Sequence, residues 1–205
     1  MTDELTRQER LARQALQRSK KDALRRRMLK TMPKQSVCVE IGVWRGQFSH
    51  ILLEELDPKV LYLIDPWAVQ PDAAGGASLA GGQDGNRMDQ IYSAVVNQFS
   101  EEVEQGKVVI LRDYSVAALG KFADGEIDFA YLDADHSFDG VLADLEALLP
   151  KLRVGGVVML DDYHQKGWWG DGVIRALNTF AGRHPAQIRF KAMAGAQIAF
   201  SKLKD

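Results

Sequence analysis

The sequence predicts an α/β fold of the doubly wound kind: a mostly parallel seven-stranded sheet with helices on both faces, an antiparallel last strand and an N-terminal helical extension. Three observations predict it. Short β-rich runs alternate with helical patterns from residue 36 onward. Those runs are apolar almost throughout, as strands covered on both faces must be. The last two runs are separated only by an Ala-Gly-Ala turn, too short for anything but an antiparallel return.

Each element follows from its residues. Residues 1–30 hold ten Lys or Arg against four Asp or Glu, a local balance of +6 in a chain of net charge −2, so the remainder carries −8. Leu5, Leu11, Ala12, Ala15, Leu16, Ala23, Leu24 and Met28 recur at roughly helical spacing. A basic amphipathic helix over 1–32 is expected, its apolar stripe packing on the body or on a second subunit; a charge run of this kind is more often a solvated face than a nucleic-acid footprint. Residues 33–205 form the main domain. Strands are expected at 36–41, 60–64, 108–111, 127–132, 157–160, 188–193 and 197–201, and helices at 47–55, 88–99, 115–122, 138–152 and 172–181. The stretch 70–87, rich in Gly, Ala and Asp, reads as a loop long enough to act as a lid.

Composition narrows the class. A chain of 205 residues with 46% hydrophobic and 26% charged residues fits one globular domain. One cysteine excludes an internal disulfide framework, no apolar run approaches the ~20 residues of a membrane span, and the charged N-terminus lacks an apolar signal segment. A cytoplasmic protein is expected.

Ligands of an open α/β sheet bind beyond the carboxyl ends of its strands, and polar groups cluster there. The first strand runs into Glu40-Ile41-Gly42-Val43-Trp44-Arg45-Gly46, whose glycines let backbone approach a ligand at a helix start. Trp44 stands where a dinucleotide fingerprint needs a third glycine, which argues against NAD. Asp65, twenty-three residues past Gly42, suits a ribose diol, or else simply turns the chain before Pro66. Asp113, Tyr114 and Ser115 close the third strand near where an adenine base would lie, although Ser115 is also a candidate helix cap. Asp133-Ala134-Asp135-His136 ends one strand and Asp161-Asp162 the next. Neighbouring strands lie ~4.8 Å apart, so these carboxylates converge, and their repulsion calls for a cation; oxygen ligands point to Mg²⁺ or Ca²⁺, with Mn²⁺ an alternative. Trp67, Trp168 and Trp169 fall at the same edge, as an apolar wall for a ring-bearing acceptor or as packing beneath the loop.

Together the turn VEIGVWRGQFS, the acid in LIDPW and the strand ends YLDADH and MLDDYH resemble metal-dependent O-methyltransferases of the class I S-adenosylmethionine-dependent type, with a Rossmann-like fold. The chain looks most similar to the macrocin and aminocoumarin-sugar enzymes, and more distantly to catechol and caffeoyl-CoA O-methyltransferases, over residues 37–180. The resemblance implies that Glu40, Gly42 and Gly46 face the methionine part of S-adenosylmethionine, that Asp65 holds its ribose, and that Asp133, Asp161 and Asp162 bind Mg²⁺ or another hard divalent cation. Asp133 is expected to border the donor as well, and Asp113, Tyr114 and Ser115, from their place at the end of the third strand, its adenine. The catechol and caffeoyl-CoA enzymes usually carry Asn at the last ligand position and Lys where His136 stands here. In the sugar enzymes the acid matching Asp135 is the proposed base, so Asp135 and His136 both stand as candidate catalytic bases.

The expected activity is metal-assisted O-methylation of a small-molecule vicinal diol, a sugar or an aromatic, by a homodimer or higher homo-oligomer with no nucleic-acid or membrane partner. Three rivals remain. A metal-independent methyltransferase leaves the carboxylate cluster unexplained, a non-catalytic donor-binding scaffold predicts binding without turnover, and a hydroxylase would consume oxygen.

Overall fold

The protein was analysed as a computed structural model that describes residues 7–69, 85–165, 167 and 169–205. The elements run α1 (Arg7–Leu29), β1 (Val37–Ile41), α2 (Gln47–Leu56), β2 (Val60–Asp65), α3 (Gly85–Gln98), α4 (Ser100–Glu104), β3 (Val108–Arg112), α5 (Ser115–Leu119), β4 (Ile127–Leu132), α6 (Phe138–Lys151), β5 (Leu152–Leu160), α7 (Gly172–Arg183), β6 (Ile188–Ala194) and β7 (Gln197–Lys202). The loop expected at 70–87 lies largely outside the described residues, and α3 already begins at Gly85.

One seven-stranded sheet has the order β3-β2-β1-β4-β5-β7-β6. Five strands are parallel; β7 returns antiparallel to β5, and β6 pairs antiparallel with β7. The order reverses between β1 and β4, which puts the ligand crevice of such a sheet at the carboxyl ends of these two strands. Alternate residues of each strand feed two cores. Val39, Ile41, Ala130, Leu132 and Val158 pack against α6 and α7 on one face. Cys38, Leu61, Leu63, Phe129 and Tyr131 pack against α2 and α3 on the other. Both faces are therefore covered, and that is why the strands read as continuous apolar runs.

Several boundaries differ from the sequence expectation. β5 starts at Leu152, directly after α6, so the Gly155-Gly156 stretch is strand; Gly155 takes φ +83, and Gly156 approaches the Arg153 carbonyl too closely for a side chain. The short α4 was not foreseen.

The N-terminal helix sits on the second core. Met28, Leu29 and the following Met32 are buried among the α2 side of the sheet. Arg26 reaches Glu54 and Glu55 of α2. Farther from this anchor Ala15 and Leu16 are exposed, and the side chains of Leu11 and Ala12, with all of Leu5, fall outside the described residues. Among the described residues the apolar stripe thus packs on the body over the last turns of α1. Among the described residues no helix is long and apolar enough to cross a membrane.

Candidate active site at the carboxyl edge of the sheet

The tips of β1 and β4 meet through Gly42. Its N–H donates to the Ile64 carbonyl at 2.9 Å while Asp133 N–H donates to the Ile41 carbonyl at 2.8 Å. At φ +89, a Cβ on Gly42 would lie 2.1 Å from the Asp133 carbonyl oxygen, backbone against backbone. Glycine is required here first to let the two tips close, and only then to admit a ligand. Gly46, at φ +70, opens onto the side chains of Phe99 and Gln98 rather than onto a ligand space.

Asp65 closes the same turn. One of its oxygens accepts from the N–H groups of Val43 (3.0 Å) and Trp44 (2.9 Å), the other from Trp67 N–H (2.7 Å). Burial pushes its pKa up and the three amides oppose that shift. Trp67, which sequence reasoning left between wall and packing, is fully buried, with its indole N–H on the Trp44 carbonyl. It packs beneath the site. Trp169 takes the wall position; Trp168 lies outside the described residues.

A cavity of about 780 Å³ opens over these tips, ample for a nucleoside-sized ligand with an acceptor beside it. Glu40, Gly42 and Asp65 line one part, Tyr114 and Ser115 another, and Asp133, Asp135 and His136 a third. Glu40 is buried, accepts from Ser49 Oγ, and is pushed up to about 8 by burial. Asp113 departs from expectation: its carboxylate accepts from Lys121 Nζ at 2.8 Å and from Tyr114 N–H, and it does not line the cavity. The carboxylate is engaged by Lys121, two residues past the end of α5, and is turned to the surface. The acid on this wall is instead Asp144 of α6, buried and accepting from Ser115 Oγ; burial raises its pKa to about 7. No sequence signal separated it from the other polar residues of that helix.

The acidic cluster forms where expected, with unexpected company. The register pairs Leu132 with Leu160, so Asp133 and Asp161 leave adjacent strand tips side by side. Asp161 has no exposed side-chain surface and accepts from Tyr131 OH (2.8 Å), Gln197 Nε2 (2.5 Å) and Arg25 Nη2, with Lys21 Nζ 2.8 Å away. Arg25 also reaches Asp133 Oδ2 at 3.2 Å, and Lys21 reaches Asp162 Oδ1 at 3.0 Å. Arg25 lies over the Phe48 ring at 4.6 Å, and Arg18, Asp22 and Arg25 of α1 line the cavity. The premise that only a bound ion makes these carboxylates tolerable is therefore corrected: α1 supplies cations of its own. Burial would raise the pKa of Asp161, but Arg25 and Lys21 overcome it and hold the group well below the usual carboxylate range.

The second acid pair brackets His136. Asp162, at φ 53, turns its carboxylate back toward β4; Asp tolerates this left-handed conformation better than most residues. His136 Nε2 lies 3.3 Å from Asp133 Oδ1 and 3.2 Å from Asp162 Oδ2, yet that buried atom has no hydrogen bond of adequate geometry. Burial alone would lower the imidazole pKa, but the two acids raise it to about 9. The ring stacks on Trp169 at 4.6 Å. Ligand atoms of Asp133, His136 and Asp162 all fall within 4.8 Å of one another. Adjacent ligands on an octahedral ion with ~2.1 Å bonds are ~3 Å apart, so the two 3.2–3.3 Å contacts fit a metal. Asp161, committed to α1, does not offer a free ligand atom. Asp135 stands apart, its two oxygens accepting from Ser137 N–H (2.8 Å) and Ser137 Oγ (3.0 Å) at the start of α6.

Comparison with known proteins accords with this geometry. A family model described as a methyltransferase domain matches residues 39–163, which hold the glycine turn, Asp65 and both acidic strand ends. No curated protein matches the chain by sequence. Among solved structures the chain is similar to a protein described as an rRNA methylase from Clostridium thermocellum, at 11% identity and TM-score 0.63, covering 89% of this chain and 96% of that one. It is also similar to a protein of Streptococcus mutans described as a methyltransferase, solved with S-adenosylhomocysteine, at 15% identity and TM-score 0.59, covering 88% and 97%. A third is the N-methyltransferase NodS from Bradyrhizobium japonicum, at 12% identity and TM-score 0.58, covering 92% and 97%. At such identities the likeness is one of fold. With more than half of its length matched by the domain family, on a sheet of this order, the chain belongs to the class I S-adenosylmethionine-dependent methyltransferases.

Proposed function

We propose that the protein is a divalent-metal-assisted O-methyltransferase acting on a vicinal diol of a small molecule. The convergence of Asp133, His136 and Asp162 on the wall of the donor cavity carries this reading. S-adenosylmethionine supplies an electrophilic methyl group on a sulfonium, and a metal held by those three residues would supply Lewis acidity toward a chelating diol. A mixed carboxylate–imidazole set suits Mn²⁺ at least as well as Mg²⁺.

The remaining chemistry belongs to the chain. Glu40, Gly42 and Asp65 lie where the donor's methionine and ribose would be bound, and Tyr114, Ser115 and Asp144 border its base. Trp44 and Trp169 give the cavity apolar surface against which a sugar or aromatic ring can be oriented. As the acceptor oxygen forms its bond to the methyl carbon and the carbon–sulfur bond breaks, a base must take the hydroxyl proton. His136 is poorly placed for that task. As a metal ligand through Nε2 it has no lone pair free there to take a proton. That leaves Asp135, which lines the cavity, as the base, with Ser137 fixing its carboxylate.

A metal-independent transferase is the second reading, favoured by the ion pairs that Lys21 and Arg25 make with the same acids. Transfer of labelled methyl to a panel of sugar diols and catechols, with EDTA and after Mg²⁺ or Mn²⁺ addition, separates the two. Loss in EDTA with recovery on metal addition is expected; transfer undiminished by EDTA refutes the metal role. A cytoplasmic homodimer, using the exposed end of α1 near Ala15 and Leu16, belongs to the same proposal.

A further inference from the structure

We propose that α1 carries a built-in competitor of the metal: Lys21, backed by Arg25, occupies the acidic cluster and must withdraw for a divalent cation to bind. The inference rests on the metal reading above. Three carboxylates, Asp133, Asp161 and Asp162, meet within one small volume, and the Lys21 ammonium and the Arg25 guanidinium already bridge them. A divalent cation held by Asp162 would stand beside the Lys21 ammonium on the same carboxylate, so one of the resident cations must leave.

Lys21 is the one that can. Its side chain is 37% exposed, its ammonium touches Asp161 at 2.8 Å and Asp162 at 3.0 Å, and its long stem leads to solvent. Asp162 is at once one of the three candidate metal ligands and a partner of Lys21. Arg25 is different in kind. It is 11% exposed, packs over Phe48 and Tyr131, and bridges Asp133 to Asp161. It holds Asp161 as a fixed counter-ion and keeps that acid out of the ligand set. Two buried polar atoms beside the cluster have no hydrogen-bond partner: His136 Nε2, and the carboxamide oxygen of Gln197, whose Nε2 bonds Asp161.

The consequence is that metal affinity and the docking of α1 are coupled with opposite sign, and by linkage each weakens the other to the same extent. Metal binding would loosen the helix at Lys21 while Met28 and Leu29 keep its end anchored in the core. Since α1 also lines the donor cavity through Arg18 and Asp22, the helix is placed to report metal occupancy to the donor site.

The test is Mn²⁺ binding to the full chain, read by electron paramagnetic resonance of free Mn²⁺, for the wild type, Lys21→Met and Asp162→Asn. Hydrogen exchange over residues 13–29 is followed in parallel. The proposal expects Lys21→Met to bind Mn²⁺ at least tenfold more tightly than the wild type, Asp162→Asn to bind at least tenfold more weakly, and Mn²⁺ to speed exchange around Lys21 in the wild type alone. Equal Mn²⁺ affinity in wild type and Lys21→Met overturns the competition and leaves the metal site standing. Absence of Mn²⁺ binding in both, with the fold intact by circular dichroism, overturns the metal reading itself and the competition with it. Protection of residues 13–29 by Mn²⁺ also overturns the competition, because it would mean that helix and metal cooperate.

Discussion

Arg25→Met is expected to destabilise the metal-free protein more than any other single change on α1. Asp161 has no exposed side-chain surface, and Arg25 is one of two cations that neutralise it. Breaking a buried ion pair by removing one partner costs ~3–5 kcal/mol, because the other charge stays buried. Lys21 Nζ, Tyr131 OH and Gln197 Nε2 remain on Asp161, which places the loss near the lower end, about 3 kcal/mol. For a domain of this size that lowers Tm by roughly 6–12 °C. Asp161→Asn should cost less, about 1–2 kcal/mol, since Arg25 can fall back on Asp133 and Lys21 on Asp162. If the guanidinium acts through that carboxylate, the double variant must recover part of the loss, with a coupling of at least ~1.5 kcal/mol. Urea unfolding of the four proteins at pH 7 in EDTA measures it. Additivity within ~0.5 kcal/mol would show that Arg25 stabilises through its packing on Phe48 and Tyr131 alone, and the electrostatic account of α1 would fail.

Asp144→Asn should change the pH dependence of stability. The Asp144 pKa is raised in the folded state to about 7, so the group's contribution is present below its unfolded pKa and is lost as pH rises through about 7. The Asn variant should match the wild type below about pH 4 and gain on it by up to about 4 kcal/mol above pH 8; parallel Tm curves would contradict the assignment. Gly42→Ala places a Cβ 2.1 Å from the Asp133 carbonyl, so the β1 and β4 tips must part. A loss of ~3 kcal/mol or more and donor affinity reduced at least tenfold are expected by unfolding and calorimetry. By contrast, Asp113→Ala removes a surface pair with Lys121 and a local bond from Tyr114 N–H, and should leave donor Kd within about twofold; a tenfold loss would restore Asp113 to the site.

What the sequence made legible follows from what is local. The parallel strands could be read because burial on both faces leaves runs such as Cys38–Ile41 and Phe129–Leu132 nearly free of polar residues. Acids directly after such runs had to stand at the ligand edge, which located Asp65, Asp133, Asp161 and Asp162. Partners distant along the chain were not legible. The stripe of α1 indicates which face is apolar, but nothing local says that Lys21 and Arg25, on its border, meet acids more than a hundred residues away. Asp113 and Asp144 illustrate the same limit: both are acids near the third strand's edge, and only tertiary packing turns one to Lys121 and the other to Ser115. The cap made by Asp135 and Ser137 was available in principle, since an Asp two residues before Ser at a helix start is a known turn signal.

The account stands on a metal ion and the methyl donor sharing one cavity. Proton relaxation of the S-methyl group of bound S-adenosylmethionine, with Mn²⁺ replacing Mg²⁺, addresses this directly. Strong paramagnetic broadening of the methyl resonance, absent with Mg²⁺ and lost in Asp133→Asn, is the predicted result. A sharp methyl resonance with donor and Mn²⁺ both demonstrably bound would contradict it.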